Sequence, residues 1–297
     1  MTGARQTGVT EIELPALFQA ADRKAAERQR AFYVSKGLEV GALAGGAMAA
    51  LLPSSLLGGS GPIFALLLFL VALVIQVTKI SATAERRWYD ARAAAESIRS
   101  SAWQYAACGE AFRLENDQAD AAFRQVLVRV LDAVPGLDIG PDTDDAPTIT
   151  TSMRSIRALS LVERSGVYLE QRVAGQVKWY ARKAQWNKQR ARVYGLVVIG
   201  VELAAVVAGI LRVATGSSLD FLGAAAAIAA GLVAWTQAKK YTFLSESYAV
   251  TSHEVNLVRD TLRPGDDEGL WAQLVHDAEA AFSREHTMWQ ARRQGAA

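Results

Sequence analysis

Hydrophobic and polar positions are distributed very unevenly along this chain. From Val40 to Thr78 no residue is charged, and Pro53-Ser54-Ser55-Leu56-Leu57-Gly58-Gly59-Ser60-Gly61-Pro62 divides the run into two apolar segments joined by a tight turn. From Val193 to Ala238 only Glu202, Arg212 and Asp220 are charged, with a break at Thr215-Gly216-Ser217-Ser218. Each segment approaches the roughly 20 apolar residues needed to cross a hydrocarbon layer. The pattern therefore predicts four spans, at about 37–57, 62–79, 193–214 and 219–238. Two buried hairpins of a soluble protein are the weaker reading, because a soluble core rarely needs 39 successive uncharged residues. Residues 1–36 mix acids and bases and contain no short apolar core of a signal peptide.

Outside these segments the periodicity is helical. Trp88, Ala91, Ala95, Ile98, Ala102 and Tyr105 recur at three- and four-residue spacing, as do Tyr241, Leu244, Tyr248, Thr251, Val255, Val258 and Leu262. Leu169, Val173, Val177, Tyr180 and Ala184 form a third stripe ahead of the third span. Stripes continuous with a span predict helices that run on and pack against a partner. Pro15 fits the first turn of a helix, and Arg263-Pro264-Gly265-Asp266-Asp267 should end one helix before a last one near Glu268–Arg293. No alternating strand pattern competes. The predicted fold class is an all-α membrane protein, two repeated transmembrane hairpins extended into a cytoplasmic helical bundle. Its parts are a first repeat at 1–134, an acidic Pro/Gly linker at 135–150 and a second repeat at 151–297.

Charge placement supplies an orientation. Arg23, Lys24, Arg28, Arg30 and Lys36 precede the first hairpin, and Lys79, Arg86, Arg87 and Arg92 follow it. Lys178, Arg182, Lys183, Lys188, Arg190 and Arg192 precede the second, and Lys239 and Lys240 follow it. Basic flanks around nearly uncharged turns are the positive-inside pattern, so both termini are expected in the cytoplasm. The averages over 297 residues, 51% hydrophobic, 21% charged and a net charge of +2, blend these regions, as does the mean hydropathy of +0.10. They exclude a disordered polymer and argue against a general nucleic-acid binder. Lys178-Trp179-Tyr180-x-Arg182-Lys183-x-x-Trp186 is basic and aromatic, but its place beside a span favours lipid headgroups over nucleic acid. Trp88, Tyr89, Trp179 and Tyr180 are the expected interfacial anchors.

The two hairpins read as copies. Gly37-Leu38-Glu39 matches Gly200-Val201-Glu202, Gly59-Ser60 matches Gly216-Ser217, and Arg86-Arg87-Trp88 matches Lys239-Lys240-Tyr241. Ala119-Asp120-Ala121-Ala122-Phe123 matches Ala278-Glu279-Ala280-Ala281-Phe282, and the separations are 163, 157, 153 and 159 residues.

The repeated acids Glu39 and Glu202 carry the most chemical interest. At roughly 1.5 Å per residue both lie about 20 Å from the outer end of their spans. An ionised carboxylate there costs about 2.5 kcal/mol or more unless it meets water or a partner. Two readings stand side by side: acids lining a cation path or acting as a protonatable switch, or structural carboxyls paired with Lys36 or Arg212. Gly37, Gly41 and Gly45 with Ala49, and Gly223 and Gly231 with Ala227, form small-residue stripes for close helix packing. Glu39 falls on another face, with Ala42, Gly46 and Ala49. These stripes serve packing within the chain or between subunits.

Catalytic signals are poor. Gly58-Gly59-Ser60-Gly61 lacks the Lys-Ser/Thr of a phosphate loop. His253-Glu254 and Glu285-His286 lack spaced metal-ligand partners, and Cys108, the one cysteine, reads as a small buried residue. No catalytic, cofactor-binding or metal-ligating residue is assigned, no cofactor is expected, and the chain is read as no enzyme.

Arg86-Arg87-Trp88-Tyr89-Asp90-x-Arg92, Glu96-Ser97 and Trp103-x-Tyr105 in the first half resemble the SLATT family, two-span membrane domains of bacterial conflict systems. So do Tyr168-Leu169-x-x-Arg172, Lys178-Trp179-Tyr180-x-x-Lys183-Ala184 and Arg284-Glu285-His286-Thr287-Met288-Trp289 in the second. The resemblance is to the version with two such domains in tandem and covers all but the amino-terminal tail and the linker. It implies an oligomeric pore- or channel-forming effector of anti-phage defence in the bacterial inner membrane. The expected partners are membrane lipid, further copies of the chain, and a cytosolic sensor or nucleotide second messenger acting through the cytoplasmic helices. The alternative is a non-conducting, membrane-anchored protein that recruits a cytosolic partner.

Overall fold

The computed structural model describes residues 11–51, 59–113, 117–134, 136–139, 147–216, 221–262 and 267–294, with side chains described for all of these except residues 221 and 283–294. Most of both hairpin turns (52–58 and 217–220), the middle of the acidic linker (140–146) and the break at 263–266 lie outside the described residues. The side chains of Arg284–Trp289 do so as well.

The described residues are helical and contain no strand. In chain order they form α1 (Ala16–Leu51), α2 (Gly61–Val77), α3 (Ile80–Ala106), α4 (Ala119–Ala133), α5 (Thr151–Arg157), α6 (Leu161–Val167), α7 (Ala174–Thr215), α8 (Phe221–Lys239), α9 (Tyr241–Thr261) and α10 (Glu268–Gln294). A π-helical turn, Tyr168–Val173, joins α6 to α7. Local signals set the starts. Pro62 lies in the first turn of α2. Thr150 caps α5 by accepting the Met153 amide at 3.3 Å, and Ser160 and Glu163 form a capping box on α6. Asp267 accepts the Gly269 and Leu270 amides at 2.7 and 3.2 Å at the head of α10.

The chain forms two compact units, each built from both halves of the sequence. Unit 1 comprises Met1–Glu27, Arg87–Arg182 and Tyr248–Ala297; unit 2 comprises Arg28–Arg86 and Lys183–Ser247.

Unit 1 has a closed core. The stripe predicted on α3 is its spine: Ala91, Ala95, Ile98, Ala102 and Tyr105 are all buried. Alanines let neighbouring helices approach, and aromatic rings fill the wider spaces. Tyr168 sits edge-on to Trp103 and to Trp271, each at 5.8 Å between ring centroids. The Trp271 indole donates to the Ala107 carbonyl at 2.8 Å, which satisfies both buried groups. The segment before α1 is pinned by Ile12 donating to Gln171 at 3.1 Å and Glu13 donating to Ser152 at 2.8 Å.

Unit 2 presents the opposite surface. On α2 only Gly61, Ala65 and Ala72 are buried, whereas Ile63, Phe64, Leu66, Leu67, Leu70 and Leu73 are each more than half exposed. On α7 the same holds for Leu196, Ile199, Leu203, Val206 and Ile210. By length and composition, among the described residues, the run Leu161–Thr215 is able to cross a membrane, as are α2 and α3 taken as a pair bent by 43°. Helices α1 and α8 are not among those runs.

The backbone repeats where the sequence does. Gly59 and Gly216 take positive φ, +83° and +69°, where the chain turns, a conformation that costs glycine little. After the second helix of each hairpin the break is made by a lysine in the left-handed region, Lys79 at φ 53° and Lys240 at φ 54°. Each donates its amide 3.2 Å to a glutamine carbonyl three residues back, Gln76 or Gln237, and each accepts the next helix's amide at 2.9 Å. Lys79 and Lys240 are thus the equivalent positions. The pairing of Arg86-Arg87-Trp88 with Lys239-Lys240-Tyr241 expected from sequence is corrected accordingly: Arg86 lies within α3, well past the Lys79 break.

Candidate functional site

Glu39 and Glu202 have different environments. The Lys36 ammonium donates to both Glu39 carboxylate oxygens, at 2.9 and 3.1 Å, and the Ser81 hydroxyl from α3 approaches at 3.5 Å. Glu39 is largely enclosed, its side chain 15% exposed. Its face of α1 is the packed one, since Phe32, Ser35 and Ala42 beside it are buried. Glu202 is exposed on α7, between the exposed Ile199, Leu203 and Val206. It has no ion-pair or hydrogen-bond partner among the described residues.

The glycines separate in the same way. A Cβ on Gly37 would meet the Trp235 ring at 3.4 Å, one on Gly231 would meet Ala44 at 3.2 Å, and one on Gly45 would meet Leu68 at 3.5 Å. Gly41 has nothing within 4 Å. The tightest approach of α1 to α2 is at Gly46, which the sequence reading placed on the acid's face; there a Cβ would lie 3.3 Å from Phe69 and 3.4 Å from the Ala65 carbonyl oxygen. Helix α1 packs on two neighbours, α2 and α8, so one narrow stripe could not serve both. Gly223 is half-buried on α8.

The expected anchors sit against the core of unit 1. Tyr180 is buried, and Trp88 and Trp179 pack partly buried against the same core. Tyr89 stacks on Trp88 at 4.7 Å. They share the helical stripes of the core residues, which decided their placement. The exposed indole further along α7 is Trp186.

Unit 1 holds two acid clamps that the sequence reading left unassigned. Glu279 on α10 is wholly buried. It accepts the Tyr168 hydroxyl at 2.9 Å and a two-pronged contact from Arg172 at 2.9 and 2.7 Å, with the guanidinium over the Phe282 ring. Burial followed by the Glu279 charge pushes the Tyr168 phenol well above its usual range. Burial opposes the charged form of Arg172, but the Glu279 charge and hydrogen bonds outweigh it and raise its pKa. Tyr168 and Arg172 both belong to the π-turn. The wide turn brings both side chains to one acid, in a type of backbone feature frequent at functional positions. Arg164, also wholly buried, donates to Glu268 and to the Leu159 carbonyl.

Asp120 makes the second clamp, accepting the Tyr105 hydroxyl and an Arg154 N–H, each at 2.6 Å. The Tyr105 hydrogen bond, ahead of that from Arg154, holds the Asp120 carboxyl below the usual range. Burial and this same bond raise Tyr105 to about 12. An open groove of about 290 Å³ lies beside the clamp. Both acids come from the repeated Ala-acid-Ala-Ala-Phe strings, so that match marked them. Their partners, 15 and 111 residues away in sequence, carried no comparable signal.

Two family models match in tandem. Residues 15–165 match SMODS and SLOG-associating 2TM effector domain 3, and residues 168–289 match SMODS and SLOG-associating 2TM effector domain 1. The chain belongs to the SLATT family. Searches of curated proteins and of solved structures returned no match. As a tandem SLATT protein it is a membrane effector of the conflict-system type. In this SLATT pair the first match runs through α5 into α6, and the second opens on the π-turn at Tyr168.

Proposed function

We propose that the chain is a four-span, oligomeric pore- or channel-forming effector in the bacterial inner membrane, with both termini cytoplasmic. In this reading the third and fourth spans are α7 from about 193 and α8, and the first and second are the carboxy-terminal part of α1 and α2. The observation that carries it is Glu202: an exposed carboxylate with no partner among the described residues, on a helix otherwise exposed through Leu, Ile and Val. In hydrocarbon such a group costs about 2.5 kcal/mol or more. A water-filled path between copies of the chain removes that cost. Glu39, already matched by Lys36, supports the lining in a structural capacity. Helix α7 carries core residues at one end and the Glu202 face at the other, a continuous lever by which a cytosolic sensor or nucleotide second messenger acts on the pore.

Ion flux from liposomes containing the purified protein tests the reading. Wild type should conduct when activated, Glu202→Gln should change conductance or ion preference severalfold, and Glu39→Gln should change it less. Vesicles that stay ion-tight under every nucleotide and pH tried would leave a membrane-anchored recruiting protein as the function.

A further inference from the structure

Helices α7 and α9 expose charge of opposite sign. From residue 171 to residue 201 the sequence has bases and no acid. Lys178, Arg182, Gln185 and Gln189 recur there at helical spacing as one exposed polar stripe of α7. A Cβ on Gly175, on the same side, would meet nothing within 4 Å. From residue 241 to residue 258 the sequence has two acids, Glu246 and Glu254, and no Lys or Arg. Both acids are exposed on α9, on the face that carries Val250 and Leu257, 58% and 68% exposed. Lys178, Arg182, Glu246 and Glu254 have no ion-pair or hydrogen-bond partner among the described residues. Lys178 and Arg182, four residues apart, stand at a spacing where like charges destabilise a helix.

The chain itself covers the other sides of both helices. Thr251, Val255 and Leu262 of α9 are buried, as are Tyr180 and Ala184 of α7. The contacts on those sides also set the heights of the exposed faces. Within unit 1, Tyr248 sits against Trp179 and Tyr180, at 5.4 and 5.8 Å between ring centroids, so Val250 lies within about one turn of Lys178. Within unit 2, the Ser245 hydroxyl donates to the Ala184 carbonyl at 3.1 Å, which sets Glu246 level with Lys183, the residue after Arg182. Val250 and Leu257 are seven residues apart, the spacing of a seam between helices. They follow the end of α8 at Lys239, beyond the fourth predicted span, so hydrocarbon does not cover them.

We infer that the face of α9 bearing Glu246, Val250, Glu254 and Leu257 docks on the Lys178–Gln189 stripe of α7 in a second copy of this chain. The inference rests on the oligomeric membrane reading above, in which copies stand side by side at one depth. Charge complementarity selects the occupant: an acid-only face needs a basic one, and a second copy presents such a stripe at the same height. The acids then meet Lys178 and Arg182, and the stems of those two side chains cover Val250 and Leu257. Helix α7 would make this contact outside the hydrocarbon and carry Glu202 within it, so one helix joins subunit docking to the conducting face.

The test uses the full chain in detergent, with association between copies measured by native mass spectrometry over a range of protein concentrations. Wild type should assemble. Glu246→Lys/Glu254→Lys and Lys178→Glu/Arg182→Glu should each weaken self-association by at least about tenfold, with helical circular dichroism intact. Mixed together, the two double variants should associate with each other, because each then offers the charge that the other's reversed face requires. If a reversal disturbs the helices, the neutral pair Glu246→Gln/Glu254→Gln carries the test and should weaken association by about threefold or more. An oligomeric wild type whose folded double variants assemble as it does, or fail to associate when mixed, overturns this interface and leaves the oligomeric reading standing. So does a neutral pair that assembles as wild type does. A wild type that stays monomeric at every concentration overturns both, and leaves the α9 face to a different protein.

Discussion

Replacing Glu279 with leucine removes the acid on which the π-turn closes. Glu279 is wholly buried and Arg172 is 5% exposed, so the variant leaves a guanidinium inside unit 1 without its bidentate partner. Glu96, the next acid whose charge acts on Arg172, is already engaged by Arg92 and Arg99 at 2.7 and 2.8 Å. Breaking a buried pair by removing one partner costs about 3–5 kcal/mol, and the Tyr168 hydroxyl left without an acceptor adds about 1–3 kcal/mol. Against a typical stability of about 5–15 kcal/mol, Glu279→Leu should bring unit 1 near its unfolding threshold. The triple variant Tyr168→Phe/Arg172→Met/Glu279→Leu removes every group the acid served. It should recover to within about 1–2 kcal/mol of wild type, because a buried pair is worth little relative to well-packed apolar replacements. Denaturant titration in detergent, followed by near-ultraviolet circular dichroism, reads this directly, since Trp103, Tyr168 and Trp271 form one edge-to-face cluster. A single variant costing less than about 1 kcal/mol, or a triple variant as unstable as the single, would refute the reasoning.

Other consequences are equally direct. Asp120 has a lowered folded pKa, so its clamp contributes stability above the ordinary carboxylate value of about 3.9 and loses it as pH falls through the folded value. Melting curves between about pH 6 and 2 should show Asp120→Asn converging on wild type at the acid end. Tyr105, raised to about 12, favours the neutral phenol in the fold. Stability should fall as pH rises from about 10, and Tyr105→Phe should flatten that limb. Arg157 donates to the carbonyls of Tyr105, Phe112 and Arg113 at 3.0, 2.7 and 2.8 Å. One ammonium cannot span all three, so Arg157→Lys should cost about 1–3 kcal/mol by the same titration. Gly46→Leu, forced against Phe69 and the Ala65 carbonyl, should lower the melting temperature in detergent through about 1–3 kcal/mol of overpacking. Gly41→Leu, which meets open space, should leave it unchanged.

The long-range partners show what could be read in advance and what could not. The core stripe on α3 was legible because its periodicity is local, and so was the start of the last helix near Glu268. The Ala-acid-Ala-Ala-Phe match singled out Asp120 and Glu279 as equivalent, yet nothing in it distinguishes a partly exposed clamp from a wholly buried one. The drifting repeat register became definite only at the backbone, where Lys79 and Lys240 adopt the same left-handed break. Tyr180 and Trp186 look alike as aromatic residues beside a basic run. Their different fates follow from which side of α7 meets the core, and a helix's absolute rotation is set by its neighbours.

What the sequence determined by itself is whatever depends on residues within a few turns of one another: the helices, their starts, the apolar segments, the duplication and the membrane class. The tertiary structure decided pairing and exposure. It enclosed Glu39, whose pair with Lys36 is a local i,i+3 contact, beside Ser81 of α3, and left Glu202 exposed with no partner among the described residues, although both sit in the same repeated string. It also built each unit from both halves of the chain. Burial and long-range pairing, such as that of Glu279 with Tyr168 and Arg172, are properties of what arrives from elsewhere in the chain, and in a helical protein a residue's face is fixed only when a neighbouring helix packs against it.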